Sequence, residues 1–559
     1  MTKTPLQLAI LLLASATSLH GIAQTVVIPP AGDAGALQQR QIEEEKRRRA
    51  EERTLPAPAD PVTRPAAPAP QRLPSGADVR FTVREIRFSA PSEILGAAEL
   101  DAIVAPSRGQ QLTLNDLQAL ADRINALYKA RGVVTALAVI PPQDISQGTV
   151  TIQLVEGHVG AVNISGNQNT RESFIAARIG LRAGELVDLD KLERALIWFN
   201  QINDVRLQAD LQPGQQFGLT TLNISAIEPP RNQLLFSLDN LGSLLTGPNR
   251  AGATWRNRSV FGWRDDMLLS LTAAGGQQSE AFSYGFPINR WGGRLNLAYY
   301  SDRTAIRYGS LSSLNITGDS HARVASLRQP VYVDNNVELD LTADGKKRDS
   351  SNYIDSVFLL RTDTSAATVG ADLQRYDDTG TWSLSLNGSQ VSARAAGVDR
   401  NFVITRGAAR LSREVGSGLS VRGSVAWQST PDNNLPSSEQ FSLGGEGSVR
   451  GYAPGIYSGD KGYLINLELH HRLGNLDLGA ANFQATGFFF ADHGHVNPYR
   501  PPNSLLDSGE KLTGYGWGLD ATLNQHTTIR LVLGRAANTV PLADYGRNRV
   551  TLQITSSIL

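Results

Sequence analysis

One twelve-residue stretch, FSLGGEGSVRGY at residues 441–452, combines unusual backbone freedom with two strongly interacting side chains. It contains four glycines and presents one guanidinium, at Arg450, and one phenol, at Tyr452. Glycine weakens regular structure and is tolerated where the backbone turns tightly or approaches another surface closely. The stretch therefore indicates a loop that turns tightly or lies close to another part of the molecule.

The chain has no grouping of side chains that points to catalysis or to a metal. Cysteine is absent, which excludes disulfides, thiolate metal sites and cysteine nucleophiles. His470 and His471 are adjacent, so on a strand their side chains face opposite ways and cannot bind one metal together. His493 follows Asp492, but no serine, metal ligand or second carboxylate lies at a catalytic spacing. We therefore expect no catalytic residues, no metal site and no cofactor.

The composition argues against a nucleic-acid partner and against a single domain. Lys+Arg and Asp+Glu both number 53, so the net charge is zero and no overall attraction to nucleic acid arises. The chain has 559 residues, whereas an ordinary domain has about 100–200. Its 52 glycines and two methionines favour a turn-rich chain that is mostly β.

Residues 1–23 are typical of a secretory signal peptide. Lys3 provides the positive start, LQLAILLLASA the apolar core, and Gly21-Ile22-Ala23 a cleavage site of small residues. The apolar core is shorter than the roughly 20 residues that a membrane-spanning helix needs, and no later stretch is long and apolar enough. We expect an exported chain that can enter a membrane only as a closed barrel, because a barrel satisfies all its backbone groups.

Residues 24–54 contain a helix with almost no apolar face. The segment 36–53 pairs Glu43 with Arg47, and two further acids with arginines, at a spacing of four residues, the stabilising orientation. Such a helix cannot anchor in an ordinary hydrophobic core, so it suits either open solvent or a wet, polar cavity. A proline- and alanine-rich linker, extended and semi-rigid, follows at residues 55–78.

Residues 79–156 and 157–228 share one plan of strand, helix, helix, strand and strand, which predicts two small α+β sandwiches. An exposed strand edge beside a helix can accept an extended chain as an additional strand. In the first unit we expect the amphipathic helix 113–131 and the strand TVTIQLV to form such a groove for a client chain. The polar side chains that this helix would offer to the client are Gln118, Arg123 and Asn125.

Residues 229–559 alternate apolar and polar side chains in segments of about ten residues, separated by turn residues. In the segment GYLINLELHH, one face carries Tyr463, Ile465, Leu467 and Leu469, and the other carries Asn466, Glu468 and His470. This alternation predicts a transmembrane barrel, since a soluble core would not accept the polar face. The length allows roughly fourteen to eighteen strands and an aqueous lumen. A soluble β-sandwich or propeller is the alternative.

The glycine-rich stretch belongs to a longer pattern that resembles a known family. The segment LPSSEQFSLGGEGSVRGY at 435–452, followed by GDKGY at 459–463, looks like the most characteristic stretch of two-partner secretion transporters. Further along, FFADHG matches that family's F-x-x-D-x-G pattern with Phe489, Asp492 and Gly494. Each fragment alone would be a weak signal. Together, in this order and after two α+β units, they are specific.

The resemblance covers nearly the whole chain and implies its fold class. Members of the family have a plug helix, two α+β POTRA domains and a transmembrane antiparallel β-barrel of about 16 strands. The polar helix would then thread the barrel lumen. The corresponding parts of this chain are the signal peptide (1–23), the plug helix region (24–54), the linker (55–78), POTRA 1 (79–156), POTRA 2 (157–228) and the barrel (229–559).

The resemblance also implies roles for the motif residues. In the family the glycine-rich loop folds back into the barrel, so the loop at 441–462 would bring Arg450 to Asp492 on the inner wall. A guanidinium offers a planar fork to a carboxylate. In a water-filled lumen the pair would be partly screened and would locate the loop more than stabilise it. The remaining motif residues are Val449, Gly451 and Tyr452 in the loop, and Phe489 and Gly494 on the wall.

The position of Asp492 raises a question of strand geometry. On a regular strand Phe488, Phe490 and Asp492 share one side. A lumen-facing Asp492 would therefore bring two phenylalanines inward, unless a β-bulge intervenes.

By the same resemblance, the protein is an outer-membrane transporter of a Gram-negative bacterium, with its POTRA domains in the periplasm, and not an enzyme. Its expected partners are one large secreted exoprotein with an N-terminal secretion domain, outer-membrane lipid and the barrel assembly machinery that inserts it, and it is expected to be a monomer. The alternative is an assembly factor of the same superfamily, whose members usually carry more POTRA domains. One departure is the end of the chain, which is Leu559 where family barrels commonly end in an aromatic residue.

Overall fold

The computed structural model describes residues 32–52, 61–63, 80–131, 133, 135–216, 218–477, 482–499, 510–540 and 547–558. The expected signal peptide, all of the expected linker except residues 61–63, and Leu559 lie outside these residues. Within the described ranges, no helix combines the length and apolar character that crossing a membrane requires.

The first helix, α1 (Ala34–Glu52), lies in the lumen of a β-barrel. Its two apolar side chains near the start, Leu37 and Ile42, are buried, and so is the amide of Gln38. Of the two settings that its composition allows, the helix therefore takes the polar cavity and not open solvent.

The first α+β unit forms a three-stranded sheet in the order β3–β6–β5, with two helices on one face. Its longer helix begins after Thr113, which forms a reciprocal capping box with Asp116. Leu117 and Ile124 of that helix pack against Val150 of the sheet. The elements are β2 (Phe81–Thr82), β3 (Glu85–Phe88), α2 (Ala97–Val104), β4 (Gln111–Leu112), α3 (Leu114–Ala130), β5 (Leu137–Val139) and β6 (Thr149–Val155).

The second α+β unit has the sheet order β1–β8–β9–β7, in which β1 comes from the linker region. Strand β1 (Val62–Thr63) pairs in parallel with the edge of β8, and Val62 is buried in the core of the unit. The other elements are β7 (His158–Ser165), α4 (Glu172–Ile179), α5 (Leu189–Ile202), β8 (Arg206–Pro213) and β9 (Leu219–Ile227).

A closed antiparallel barrel of 16 strands follows, which confirms the expected fold class. The first strand β10 pairs with the last strand β27 and closes the barrel. The strands are β10 (Asn232–Asp239), β11 (Arg250–Asn257), β12 (Asp266–Ala274), β13 (Gln277–Pro287), β14 (Arg294–Ala305), β15 (Ile316–Val333), β16 (Val337–Ile354), β17 (Val357–Asp377), β18 (Gly380–Ala395), β19 (Val398–Gly416), β20 (Leu419–Ser429), β23 (Lys461–Asp477), β24 (Asn482–Asn497), β25 (Glu510–Leu523), β26 (Thr527–Ala536) and β27 (Asn548–Ser557).

The two faces of the barrel differ as the alternation predicts. Large apolar side chains lie exposed on the outer face, where lipid would cover them. Examples are Leu269, Leu271, Leu297, Tyr299, Leu341, Val369, Leu467 and Trp517. Inward-facing polar side chains are buried beneath the contents of the lumen, among them Asp302, Ser320, Arg348 and Asn352.

The second α+β unit sits on one rim of the barrel. Arg264, in the turn between β11 and β12, donates its Nε to Asp204 Oδ1 at 2.9 Å. Trp198 of α5 donates its indole N–H to the carbonyl of Trp291, in the turn between β13 and β14, at 3.2 Å. Because neighbouring strands run in opposite directions, the long connection between β20 and β23 belongs to the opposite rim.

Candidate functional site

The connection between β20 and β23, residues 430–460, folds back into the barrel. Two short strands within it, β21 (Phe441–Leu443) and β22 (Tyr457–Gly459), pair in antiparallel fashion and hold the glycine-rich stretch between them. Wall strand β23 already begins at Lys461, so the last two residues of the expected loop belong to the wall. The apolar side chains of the loop and the wall form one buried cluster that includes Leu443, Val449, Tyr452, Val496 and Leu512.

The loop tip lies so close to the wall that side chains are excluded from the contact. A Cβ at Gly514 on β25 would lie 1.9 Å from the carbonyl oxygen of Arg450, and a Cβ at Gly534 on β26 would lie 2.7 Å from the nitrogen of Gly451. Gly451 has a φ of 94°, in the region that glycine adopts readily. Glycine is thus needed in the loop for its conformation and on the wall for the close approach.

The structure brings Arg450 and Asp492 together in a three-way contact. Arg450 donates its Nε and backbone N–H to Asp492 Oδ2, at 2.7 and 3.0 Å, and its Nη2 to Oδ1 at 2.6 Å. Arg450 is 3% exposed and Asp492 is 1% exposed. The expectation of a partly screened pair is therefore wrong, because the loop itself excludes solvent from the pair.

Strand β24 is regular around Asp492 in its pairing with both neighbours, so no bulge intervenes and both phenylalanines face inward. The guanidinium of Arg450 lies 3.8 Å from the ring centroid of Phe490, and that of Arg530 lies 4.7 Å from the ring centroid of Phe488. Cations are attracted to aromatic faces at such distances. The two rings form an aromatic floor beneath the cations of the site.

Glu468 on β23 contacts Arg450 and two further basic side chains of the site. Its carboxylate accepts hydrogen bonds from Arg450 Nη1 and pairs with His470 Nε2 at 2.7 Å and with Arg530 Nη2 at 3.7 Å. His470 also stacks on Phe488, whereas His471 is exposed on the other face. Across the described ranges, no three histidine, aspartate or glutamate side chains are placed to hold a metal ion.

Of the other motif residues, Tyr452 and Gly494 lie on the lumen side of the wall and Phe489 lies on the outer face. The hydroxyl of Tyr452 accepts the backbone N–H of Asn538 at 3.0 Å and lies 3.0 Å from the carbonyl oxygen of Thr513. Gly494 lies under Leu443, whose side chain would meet a Cβ there at 2.6 Å. Phe489 points away from the site, with 68% of its surface exposed on the outer face.

Sequence reasoning placed Phe490 on the side of Asp492 without counting it as part of the site, and it missed Gly514. The signal for Phe490 was available, because period-two alternation places it on the side of Asp492. No local signal marked Gly514, since the contact that requires its glycine comes from a distant segment of the chain.

The plug helix α1 is seated on the wall by side-chain amides. Gln38 donates its Nε2 to Asp302 Oδ2 and to the carbonyl of Ser320, both at 2.8 Å. Its Oε1 accepts Ser320 Oγ at 2.9 Å and Arg348 Nε at 3.1 Å. Every hydrogen-bonding atom of this buried amide is thus satisfied, which fixes the helix in one position.

The plug helix also contacts β11, the neighbour of the strand that closes the barrel. Arg250 on β11 donates its Nη1 to Glu44 of the helix at 3.1 Å and its Nε to Asp239 of β10 at 2.8 Å. Strand β10 pairs with β27 where the barrel closes. Through Arg250, the plug helix is therefore connected to the first of these two strands.

The prediction of a client-binding groove in the first α+β unit is wrong about the strand that would form its edge. Strand β6, TVTIQLV, is the central strand of its sheet and has no free edge, since β3 and β5 pair with its two sides. The edge strand beside helix α3 is β5. Asn125 of α3 covers that edge, donating to the carbonyl of Ala138 at 3.2 Å and accepting its N–H at 2.6 Å.

Comparison with known proteins connects the chain with one family of secretion proteins. The profile of the haemolysin secretion/activation protein ShlB/FhaC/HecB matches residues 218–521, and that of the ShlB-type POTRA domain matches residues 81–157. The heme/hemopexin transporter protein HuxB of Haemophilus influenzae is 25% identical over 547 residues, covering 91% of this chain and 92% of HuxB.

Two further relatives are transporters named CdiB. The outer membrane transporter CdiB of Dickeya dadantii is 24% identical over 452 residues, covering 77% of this chain and 78% of the relative. The solved structure of CdiB from Escherichia coli has a TM-score of 0.65 and 21% identity, and the match covers 96% of this chain and all of that chain. The structural likeness concerns the fold.

Proposed function

Because the chain belongs to the haemolysin secretion/activation family ShlB/FhaC/HecB, whose members are outer-membrane transporters of two-partner secretion, we propose that it secretes one large cognate exoprotein. The exoprotein would carry an N-terminal secretion domain and be of the haemolysin, adhesin or contact-dependent toxin type. The transporter lies in the outer membrane with its POTRA domains in the periplasm. It acts as a monomer and performs no covalent chemistry.

The observation that carries this proposal is a closed barrel whose lumen holds two segments of its own chain, the plug helix and the inward loop. Side-chain hydrogen bonds and ion pairs hold both the plug helix and the inward loop, a buried apolar cluster also holds the loop, and neither segment contributes a strand to the wall. A client chain that replaces these side-chain contacts would not need to open the barrel. A passive porin would need neither occupant.

The POTRA domains would capture the exoprotein before it enters the lumen. In the first domain, the edge of β5 offers backbone groups at Ala138, which Asn125 covers through its side-chain amide. An extended client segment could add to this edge once the amide swings away, since β-augmentation uses the same backbone groups. The helix α3 beside this edge would then provide selectivity through its exposed side chains.

Passage through the lumen requires the loop tip to leave the wall. The buried pair of Arg450 and Asp492 would act as a latch that keeps the pore closed until a client arrives. Outer-membrane lipid surrounds the barrel, and the barrel assembly machinery inserts it. Folding of the exoprotein at the cell surface would supply directionality, because the periplasm offers no nucleotide for this purpose.

The test is deletion of the protein in its own host, followed by quantification of outer-membrane and surface proteins. Loss of one large exoprotein from the surface, restored by the intact chain, is the expected result. A general loss of outer-membrane barrels would instead support the alternative of a barrel assembly factor. A deletion that changes neither set of proteins would contradict both functions.

A further inference from the structure

The inward loop touches the plug helix directly, at a short arm that precedes the glycine-rich tip. This arm, Ser437–Glu439, is a single turn of 3-10 helix with Ser438 and Glu439 buried. Ser437 Oγ donates to Asp33 Oδ1, just before the start of α1, at 2.6 Å. Two segments that must both leave the lumen are therefore in contact before either has moved.

Glu439 ties this arm to the wall of the barrel. The side chain is 1% exposed, and its carboxylate pairs with Lys346 Nζ at 2.6 Å and with Arg406 Nη2 at 3.2 Å. Its carbonyl oxygen accepts Gln428 Nε2 at 2.9 Å. A buried carboxylate is tolerated only when it is paired, so these cations determine where the arm can lie.

The same wall cations bind the plug helix. Arg348 donates its Nη2 to Gln39 Oε1 at 2.6 Å and its Nε to Gln38 Oε1 at 3.1 Å. Lys346 Nζ, which pairs with Glu439, lies 3.5 Å from Gln39 Oε1. Arg348 Nη1 lies 3.9 Å from the Glu439 carboxylate. Lys346 and Arg348 are thus shared by the loop arm and the plug.

Neither segment alone satisfies these cations. Lys346, Arg348 and Arg406 surround a single carboxylate, so the loop supplies one negative charge for three positive ones. The amide oxygens of the plug provide the further acceptors that the arginine and lysine groups need when water is excluded. If either segment leaves the lumen, Lys346 and Arg348 lose some of their hydrogen-bond acceptors. The remaining segment is then held less firmly on the wall.

We infer that Glu439 is a positioning residue that couples the seating of the plug helix to the seating of the inward loop through Lys346 and Arg348. The coupling is reciprocal, as any coupling between binding equilibria must be. The contact lies on β16 and β19, apart from the Arg450 latch on β23, β24 and β26. Departure of the plug therefore removes hydrogen-bond acceptors from the cations that hold the arm and leaves the Arg450–Asp492 pair itself in place.

This inference deepens the proposed function, but its test needs no exoprotein. The chain lacks cysteine, so a single introduced cysteine reports the exposure of one position. The first reporter is Ala36→Cys in the purified full-length protein, because Ala36 is buried while the plug is seated. Glu439→Gln should raise the rate of maleimide labelling at this position about fivefold or more, the usual scale of allosteric coupling.

The matched control is Asp266→Asn, which removes another carboxylate from the wall. Asp266 pairs with Arg294 at 2.7 Å, and both lie on strands near the rim that carries the second POTRA domain. This variant should leave labelling at position 36 unchanged. An equal increase in both variants would reduce the effect to general loosening of the barrel and would overturn the inference.

The reciprocal test uses a reporter in the loop arm itself, Ser438→Cys, because Ser438 is buried while the arm is seated. Gln38→Ala with Gln39→Ala should raise labelling there, and combining these changes with Glu439→Gln should give less than the product of the separate effects. This reciprocal test remains informative if the Glu439→Gln variant fails to insert into the membrane, since the substitutions in the plug leave the side chains of the wall unchanged. Unchanged or slower labelling of either reporter, or strictly multiplicative effects, would contradict the coupling.

Discussion

The guanidinium of Arg450 lies 3.8 Å from the ring centroid of Phe490. The same group forms a two-pronged hydrogen bond with the carboxylate two residues further along the strand. A planar guanidinium can meet a carboxylate at its edge and an aromatic ring at its face at once. The latch thus depends on the shape of the cation as well as on its charge.

Arg450→Lys should therefore release the loop tip although the charge is kept. A lysine ammonium lacks the fork and the flat face, and losing a hydrogen bond to a charged group costs about 1.5–3 kcal/mol. We expect normal insertion of the barrel, a protease-accessible loop and a clear fall in exoprotein secretion. Arg472→Lys, at an exposed arginine, is the control. Full secretion by the Arg450 variant would contradict the role of the latch.

Gly514→Ala should displace the loop tip from the opposite side of the contact. Its Cβ would lie 1.9 Å from the carbonyl oxygen of Arg450, so the loop or the wall must move. We expect higher ionic conductance of the purified protein in planar bilayers. Gly388→Ala is the matched control, because a Cβ there has nothing within 4 Å. Identical conductance of the two variants would show that the close approach does not hold the loop.

Asp204→Asn should loosen the second POTRA domain on the barrel rim. It leaves the buried Arg264 without its charged partner. Because Asp204 is 36% exposed, we expect a cost below the about 3–5 kcal/mol that is typical of fully buried ion pairs. We expect faster hydrogen exchange in the turn at residues 258–265. The control is Asp190→Asn, at an exposed residue in the first turn of α5. It should change hydrogen exchange in the 258–265 turn very little. Equal exchange in both variants would remove this pair from the interface.

Val62→Asp should detach the linker strand β1 from the second POTRA domain. Val62 is buried in the domain core, and a carboxylate there would have no partner. The backbone N–H of Ala209, which donates to the carbonyl of Pro61 at 2.9 Å, should then exchange faster. Thr63→Asp places the same carboxylate on the exposed face of the same strand. Protection of Ala209 that survives in the Val62 variant would argue against this pairing.

Features with a local cause could be read from the sequence. Side chains alternate along any strand, so the outer position of Leu467 and the inner position of Glu468 follow from their order. The polar character of the plug helix likewise restricted it to solvent or a wet cavity. The motif fragments indicated the family because short segments with special backbone needs keep recognisable residues. The length of the segment gave only a range for the number of strands, because the final number depends on how all the strands pair when the barrel closes.

Burial and sheet neighbours were decided by the tertiary structure. Whether Arg450 is screened depends on the loop that covers it, and Gly514 matters only because a distant loop lies against it. Strand β6 looked like a candidate edge in sequence, yet pairing on both of its sides makes it central. Contacts of this kind join segments that are far apart along the chain. No local pattern of residues can specify them, because each depends on where the partner segment comes to rest.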